Sequence, residues 1–462
     1  MKLKADQITE LTAELSTLKS SRIANAIQNA RAEPLATTNN GEIFYTFCGK
    51  YWQHINQKTL AKEVTKLFMD CNIDVEPRHV RNTISMLRWI SPEHSDNTNG
   101  KLFFSDGVLD KDFFNFEAHN KCFGNTGTLE FNYLENDDKE YLWNNCPFFS
   151  TWLNNMVYDG QPKEHVLAAL YMVLFNRYDW QLFLEITGKP NSGKSTFSKL
   201  CTHLVGAEQW ESGDITNLED PRERALIAGK RLIILPDLQQ YRGPARGLCK
   251  ITGNDTVPID PKYLSPFSQP INAIIVITNN LPMVIEDKTG AVDRRRVTIS
   301  CNHPIHKDNV DVKYFTKIKE ELPYIAKLLI SIFPNPENAR NLLIKQRDSK
   351  VAFEAVYKDD SFWQFCLCLD IFETATGMYI GQDRASSHRS LEWNPERFLY
   401  HAYIDFLDSH SHGQKNKVGI TSFSNNLEKY LNMMHHNFIK KRVAAGNITN
   451  LKFNKELQFD LQ

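Results

Sequence analysis

The residues best equipped to do chemistry form one run, Gly188-Lys189-Pro190-Asn191-Ser192-Gly193-Lys194-Ser195. It satisfies G-x-x-x-x-G-K-[ST] at every fixed position. Glycines permit a tight loop whose backbone N–H groups point inward, and a helix N-terminus behind the loop adds donors and a positive dipole end. The product is a cradle for a polyphosphate, drawn from Gly188, Asn191, Ser192, Gly193, Lys194, Ser195 and Thr196. Lys194 would reach the β- and γ-phosphates, and the Ser195 hydroxyl would be a ligand of Mg²⁺. Both flanks agree with this reading. Leu182, Phe183, Leu184 and Ile186 make a strand-length apolar run, while Phe197, Leu200, Cys201 and Leu204 recur at helical spacing. A plain strand-turn-helix corner is the alternative, and it requires none of the fixed positions.

A cradle binds phosphate without hydrolysing it, so further groups are needed. Asp237 closes the apolar run Leu232-Ile233-Ile234-Leu235, about forty residues after Lys194. A carboxylate there would hold Mg²⁺, directly or through water, and orient attack on the terminal phosphate; Pro236-Asp237 is also a plausible solvated turn. Asn279 ends the run Ala273-Ile274-Ile275-Val276-Ile277, where its amide could position the attacking water. Arg294, Arg295 and Arg296 precede Val297-Thr298-Ile299. An arginine offered to a neighbouring subunit's γ-phosphate is worth orders of magnitude in rate, whereas a basic strand start on the surface does nothing. Between Asp237 and Asn279, the turn residues of LCKITGNDTVPIDPKYLSPF suggest a β-hairpin carrying Lys250 and Lys262, with Tyr263 adjacent. Cations beside an aromatic ring suit backbone contact and base stacking on a single strand.

The elements that must position these groups alternate from Val166 to about Pro334 between apolar strand-sized runs and helical segments. That pattern indicates an α/β fold, a parallel sheet with helices on its faces. Ligands in such sheets bind beyond the carboxyl ends of the strands, where Asp237 and Asn279 fall. Residues 1–35 look helical, with a seam of Ile8, Leu11, Leu15 and Leu18 that serves either docking on its own domain or self-association. Glu33-Pro34 to Gly41 has linker composition. Residues 36–158 make a smaller α+β domain. Within it, Ile43–Ile55 reads as two strands joined at Gly49-Lys50, and Leu60, Val64, Leu67 and Phe68 mark a helix. Val80, Ile84 and Leu87 mark another, and Leu102–Leu109 a buried strand closing on a turn. His119 and His165 are isolated and read as structural. Residues 159–335 form the nucleotide domain. Residues 336–462 contain a helix through Phe398, Ala402 and Phe406, and a second helix with Thr421-Ser422 as N-cap. A basic hairpin then turns at Gly446-Asn447, and this order is that of a winged-helix module.

Composition bounds the rest. A chain of 462 residues with 42% hydrophobic and 24% charged residues is ordinary for a globular protein and holds about two to four domains. A net charge of -1 gives no bulk basic field, so nucleic-acid binding must use local positive charge. Nine scattered cysteines without a C-x-x-C pair point to reduced thiols rather than zinc ligands. The N-terminus lacks a signal-peptide apolar region, and the apolar stretch from His165 to Phe175 is too short to span a bilayer. The expectation is a soluble, cytoplasmic protein with no membrane partner.

Taken together and in order, GKPNSGKS, the strand ending in LPDL, KITGNDTVPIDPKY, VITNNLP and AVDRRRV resemble the superfamily 3 AAA+ helicases. The phage- and plasmid-type primase/helicase proteins of mobile elements are the nearest group. FYTFCGKYW and FFSDGVLD are similar to the domain that precedes the helicase there, so the resemblance spans most of residues 40–455. It implies an AAA+ P-loop core using ATP and Mg²⁺, and a homo-oligomeric ring, most often a hexamer. Such a ring translocates 3′-to-5′ on single-stranded DNA during replication of a phage, plasmid or integrated element in a bacterial host. By the same resemblance, Lys194 and Ser195 belong to the first motif and Asp237 to the second. Lys250 and Lys262 fall in the hairpin motif, Asn279 is the polar sensor, and Arg294 or Arg295 the trans-acting finger. The second motif usually has two adjacent acids. Here Asp237 stands alone, so Glu219 or Gln239 could share its work, and hydrolysis could be slow. The roughly 180 residues before the cradle show no zinc-ligand set and no acidic metal motif. Primer synthesis is therefore expected of a separate primase or polymerase, and the C-terminal domain could read an origin duplex. The alternatives are an ATP-dependent initiator or loader with little unwinding activity, and an NTP-dependent oligomeric scaffold.

Overall fold

The first hundred residues switch from helical to alternating periodicity and back, and the computed structural model follows that pattern. It describes residues 8–457 apart from 39–42, 96, 99, 112–114, 158–161, 239–244, 263–264, 284, 286–289, 302–312, 350–351, 353–359, 382–392, 410–416, 435 and 445. Helices α1 (Ile8–Ser16) and α2 (Ser20–Ala30) are separate, because the chain reverses where Leu18 takes φ 50°. Leu11 and Leu15 are buried in this chain's own core, and Leu18 is exposed, so the apolar seam stops one residue short of its expected end. The stretch read as a linker contains a strand, β1 (Leu35–Thr38), which pairs antiparallel with β2 (Ile43–Phe47). Burial of Leu35, Ala36 and Thr37 supplies the reason. Strand β3 (Trp52–Ile55) completes the sheet across a turn at Gly49, whose φ of 97° suits glycine.

Helix α3 (Gln57–Asp70) starts at Asn56, whose side chain accepts from Lys58 N, and α4 (Pro77–Ile90) starts with proline in its first turn. Both turn the expected apolar residues, Leu60, Val64, Leu67 and Phe68 with Val80, Ile84 and Leu87, toward one core. The segment Leu102–Leu109 is two strands rather than one. Strand β4 (Lys101–Phe103) and β5 (Val108–Asp110) form a hairpin, joined by β6 (Phe116–Glu117). Gly107 closes it where a Cβ would lie 2.5 Å from the Phe116 ring and 2.6 Å from Glu117 O.

The region around the parallel sheet begins with α5 (Lys139–Asn144), α6 (Pro147–Met156) and α7 (Lys163–Leu174), the last buried all round from His165 to Leu174. Next come β7 (Phe183–Gly188), α8 (Lys194–Val205), β8 (Trp210–Ser212), α9 (Thr216–Glu219) and α10 (Arg224–Ile227). Then follow β9 (Leu232–Pro236), α11 (Arg246–Thr252), the hairpin β10 (Val257–Ile259) and β11 (Phe267–Gln269), β12 (Ile274–Asn279) and β13 (Arg296–Cys301). Five strands make the expected parallel sheet, in the order β13-β7-β12-β9-β8. On one face Leu184, Ile186, Val276 and Ile299 share a core with α7 and α8. After β13, α12 (Tyr314–Glu320) and α13 (Leu322–Ile332) add to that core.

The chain divides into two compact units, Met1–Asn280 with Ile285–Leu343, and Leu281–Val284 with Ile344–Gln462. The second is built from helices Ser361–Leu367, Leu399–Ser409 and Ile420–Met433 around Phe362, Phe365, Tyr403 and Phe423. Strand β14 (Leu369–Ile371) lies between the first two of these helices in sequence. Strands β15 (Lys440–Val443), β16 (Gly446–Thr449) and β17 (Leu451–Phe453) follow the third, and β14 pairs with β17. The last helix is capped at Gly419, not at Thr421-Ser422; Ser422 Oγ instead donates back to Gly419 O at 3.1 Å. The β15–β16 turn comes just ahead of Gly446-Asn447, because Gly446 already pairs with Val443. Among the described residues no helix is long and apolar enough to cross a membrane.

One long-range contact ties the region around the parallel sheet together. Glu321, between α12 and α13, accepts from Phe148 N at 3.0 Å and Phe149 N at 2.8 Å, capping α6 from a position far along the chain. Burial pushes its carboxyl pKa upward, and the two N–H bonds oppose that shift. Glu321→Ala strands these donors and should cost about 1–3 kcal/mol. Scanning calorimetry should show a lower Tm for Glu321→Ala and a smaller loss for Glu321→Gln; equal Tm values would remove this cap from the account.

Candidate functional site

Strand β7 is buried along its whole length and delivers Gly188 to the carboxyl edge of the sheet. Gly188 has φ 144°, and a Cβ there would lie 1.8 Å from Cys301 O on β13, so parallel pairing at this position excludes a side chain. The loop then turns through Asn191 (φ 63°) and Gly193 (φ 95°), the latter being the N-cap of α8 with no side-chain cap. The first N–H groups of α8, at Lys194, Ser195 and Thr196, are thus available to an anion. Lys194 Nζ folds back over the loop, 2.6 Å from Gly188 O and 2.8 Å from Lys189 O. Burial lowers its pKa, while Cys301 and Asp237 pull it back up. Ser192 Oγ is buried without a hydrogen-bond partner, and Ser195 is exposed.

Strand β12 lies between β7 and β9 and brings the remaining groups to this edge. Asn279 pairs in register with Thr187, and Thr278 with Pro236. Asp237 leaves β9 at φ 47°, exposed, with its N–H donating to Thr278 O at 2.8 Å. Buried Asn279 accepts from Leu238 N at 2.7 Å through Oδ1, and its Nδ2 has no hydrogen-bond partner. Lys194, Ser195, Asp237 and Asn279 therefore occupy one locus. These groups fit a metal–nucleotide ligand: an uncapped helix start, a folded-back ammonium, an exposed hydroxyl and carboxylate, and two buried polar atoms without partners. Ser195 and Asp237 are the two Mg²⁺ ligands the chain itself would offer.

Arg294 and Arg295 are elsewhere. They sit in a single turn before β13, and Arg296 pairs with Phe183 at the amino end of β7. Five residues of strand rise separate that level from Gly188, about 16 Å. Arg294 is exposed, whereas Arg295 Nη1 donates to Ala291 O at 2.7 Å. Arg296 is a sheet residue, buried 3.5 Å from the Glu185 carboxylate on β7.

Two expectations are corrected. Lys250 lies on α11 and not in the hairpin, since that stretch buries Leu248 and Ile251 at helical spacing. Lys262 is the cation in the β10–β11 connection, and it is exposed. Glu219 does not share work with Asp237. Its carboxylate accepts from Gly247 N at 2.9 Å and Leu248 N at 3.2 Å, capping α11. Gln239 and Tyr263 lie outside the described residues. Gln181 Nε2 donates to Gly253 O at 3.2 Å, so α11 ends, and the hairpin departs, at the amino end of the sheet. Arg294 and Arg295 stand at that same end.

Two residues at the cradle carry no sequence signal of their own. Trp152 on α6 donates from Nε1 to Gly193 O at 3.3 Å, and its ring packs near Phe149 and Phe197. Its Nε1 would lie 2.8 Å from a Cβ on Gly193. Cys301 sits beside Gly188, its thiol pushed up to about 12 by burial, with Lys194 opposing.

Comparison with known proteins adds two local matches. Residues 186–296, which include Lys194, Asp237, Asn279, Arg294 and Arg295, match a family described as of unknown function (DUF5906). Residues 386–462 match the family described as Poxvirus D5 protein-like. Among solved structures, the phage P4 origin-binding domain is 26% identical over 22% of this chain and 94% of that domain, with a TM-score of 0.19. The apo C-terminal region of NrS-1 is 13% identical over 94% of this chain and 98% of that one, with a TM-score of 0.48.

Two outcomes test the cradle. Lys194 has a folded-state pKa below its unfolded one, so the unfolded chain holds more protons between the two values and stability rises with pH across that window. The stability of the wild type relative to Lys194→Met should therefore shift in the wild type's favour as pH climbs toward 10.5, in urea titrations of ligand-free protein; a flat difference contradicts it. Trp152→Phe keeps an aromatic ring in the core and removes the N–H that Gly193 O accepts from. It should raise the KM for nucleotide several-fold with a smaller change in kcat, and an unchanged KM would make the indole contact incidental.

Proposed function

We propose that this chain is an ATP-dependent DNA helicase of the superfamily 3 AAA+ type, acting in replication of a phage, plasmid or integrated element. The observation that carries the reading is the shared locus of Lys194, Ser195, Asp237 and Asn279 at the carboxyl edge of a parallel sheet. In this proposal the α8 N-terminus and loop amides bind the polyphosphate, and Lys194 leaves Gly188 O and Lys189 O for its oxygens. Ser195 and Asp237 would hold Mg²⁺, which when bound would neutralise the charge that develops in phosphoryl transfer. The free Asn279 amide orients the attacking water against the γ-phosphate.

The distance of Arg294 and Arg295 from their own cradle supports a ring, most simply a hexamer, in which they serve the neighbouring subunit. Lys262, exposed in the connection of a hairpin that departs from the same end of the sheet, supports single-strand contact by the hairpin. The helix, strand, helix, helix and hairpin order of the C-terminal unit, with Lys440, Lys441 and Arg442 exposed on β15, supports a winged helix reading duplex. A replication initiator or loader is the second reading. What favours it is the lone, exposed Asp237, with Glu219 committed to α11.

Complementation tests the shared intersubunit site, and strand displacement distinguishes the two readings. Lys194→Ala and Arg294→Ala/Arg295→Ala should each lack DNA-stimulated ATPase activity, and their mixture should recover part of it. Strand displacement by the wild type supports the helicase; ATPase activity and DNA binding without displacement indicate the loader. ATPase activity unaffected by Lys194→Ala would end both readings.

A further inference from the structure

A second charged surface lies on the N-terminal helices and is not used by the proposed reaction. Helix α4 buries Val80, Ile84 and Leu87. Its opposite face carries Arg78, Arg81, Asn82, Ser85 and Trp89, all exposed, with the indole 79% accessible. Spacings of four, three and four residues align Arg78, Asn82, Ser85 and Trp89 along one line, with Arg81 beside it. Helix α3 exposes Lys58, Lys62 and Lys66 at four-residue steps. Arg88 Nη2 donates to Gln57 Oε1 at 3.0 Å, fixing the start of α3 against the end of α4. The helices are therefore antiparallel, and the lysine row and the arginine face are both turned away from the core that the two helices share.

The acids of this pair do not cancel the charge. Glu63 turns away to Arg31 at 3.3 Å. Glu76 meets Arg78 at 2.9 Å, but both side chains are about two-thirds exposed, and such pairs exchange readily. Asp70, Asp74 and Glu76 are confined to the turn region at one end.

We propose that this helix pair binds duplex DNA, with α4 in the major groove and the α3 lysines on flanking phosphates. Arginine, asparagine and serine pair with base edges in that groove, and a helix about 10–12 Å across fills it. A first helix crossing the backbone while the second enters the groove is how two-helix readers dock. A convex face with a single aromatic side chain favours duplex over single strand, which is bound by grooves with successive stacking rings. The proposal does not depend on the nucleotide site.

The test uses the full chain without nucleotide and fluorescence anisotropy on a labelled duplex and on a single strand of equal length. Measurements are made in the wild type and in a Lys440→Ala/Lys441→Ala/Arg442→Ala background that removes the exposed cations of β15. Arg78→Glu/Arg81→Glu should weaken duplex binding at least about tenfold in both backgrounds, with DNA-stimulated ATPase activity on single strands unchanged. Lys58→Ala/Lys62→Ala should lower the slope of log affinity against log salt by roughly two. Matching far-ultraviolet circular dichroism and Tm establish that the variants fold. Wild-type duplex affinity in the charge-reversed protein overturns the proposal. So does a loss confined to single strands, or a changed mass in light scattering with duplex affinity intact, which would assign the face to a second copy.

Discussion

Parallel pairing of β7 with β12 on one side and β13 on the other is the constraint on which the site depends. Parallel strands all end at one edge, so pairing Thr187 with Asn279 and Gly188 with Cys301 fixes where the loop after β7 can start. A slip of one residue would send Glu185 into the apolar face and turn Leu184 out of it. The core shared by Leu184, Ile186, Val276, Val297 and Ile299 holds the register, and with it the chemistry at the sheet's edge. Because β12 is the middle strand, one asparagine can tie the exit of β9 to the end of β7.

Without ligand the cradle carries unfavourable terms. Ser192 Oγ and Asn279 Nδ2 are buried without partners, Lys194 is partly desolvated, and Asn191 and Asp237 hold left-handed backbone angles. Each such feature opposes folding by an amount on the order of 1–3 kcal/mol. The surrounding structure tolerates them because α7, α8 and the sheet bury a continuous apolar core. Glu321 and Trp152 brace the loop from outside: one caps α6, and the other hangs from α6 onto Gly193.

The parallel sheet was legible because fully buried strands have few residue types open to them, and runs such as Ile274–Ile277 announce themselves. The cradle was legible because its geometry tolerates so few residues at Gly188, Gly193 and Lys194. Lys250 was misplaced because a seven-residue helix followed directly by the turn formers Gly253-Asn254-Asp255 looks like part of a hairpin until burial of Leu248 and Ile251 is known. Glu219 acts through a contact with residues twenty-eight positions away, which no local pattern encodes. Trp152 is similar: its spacing with Phe149, Leu153 and Met156 marks only a core face, and its polar edge shows itself only in three dimensions.

Arg296 is one strand residue among many by spacing, yet its burial against Glu185 decides how its neighbours are carried. Arg294 projects two residues upstream of that anchor, in a single tight turn rather than a long loop. A guanidinium mounted this way has its backbone already ordered by the sheet. Only side-chain torsions remain to be frozen when it meets another surface, which limits the entropy lost in doing so. Its reach is therefore a property of the sheet: whatever moves the paired β13 and β7 together carries the arginine and the edge at Gly188 as one rigid piece.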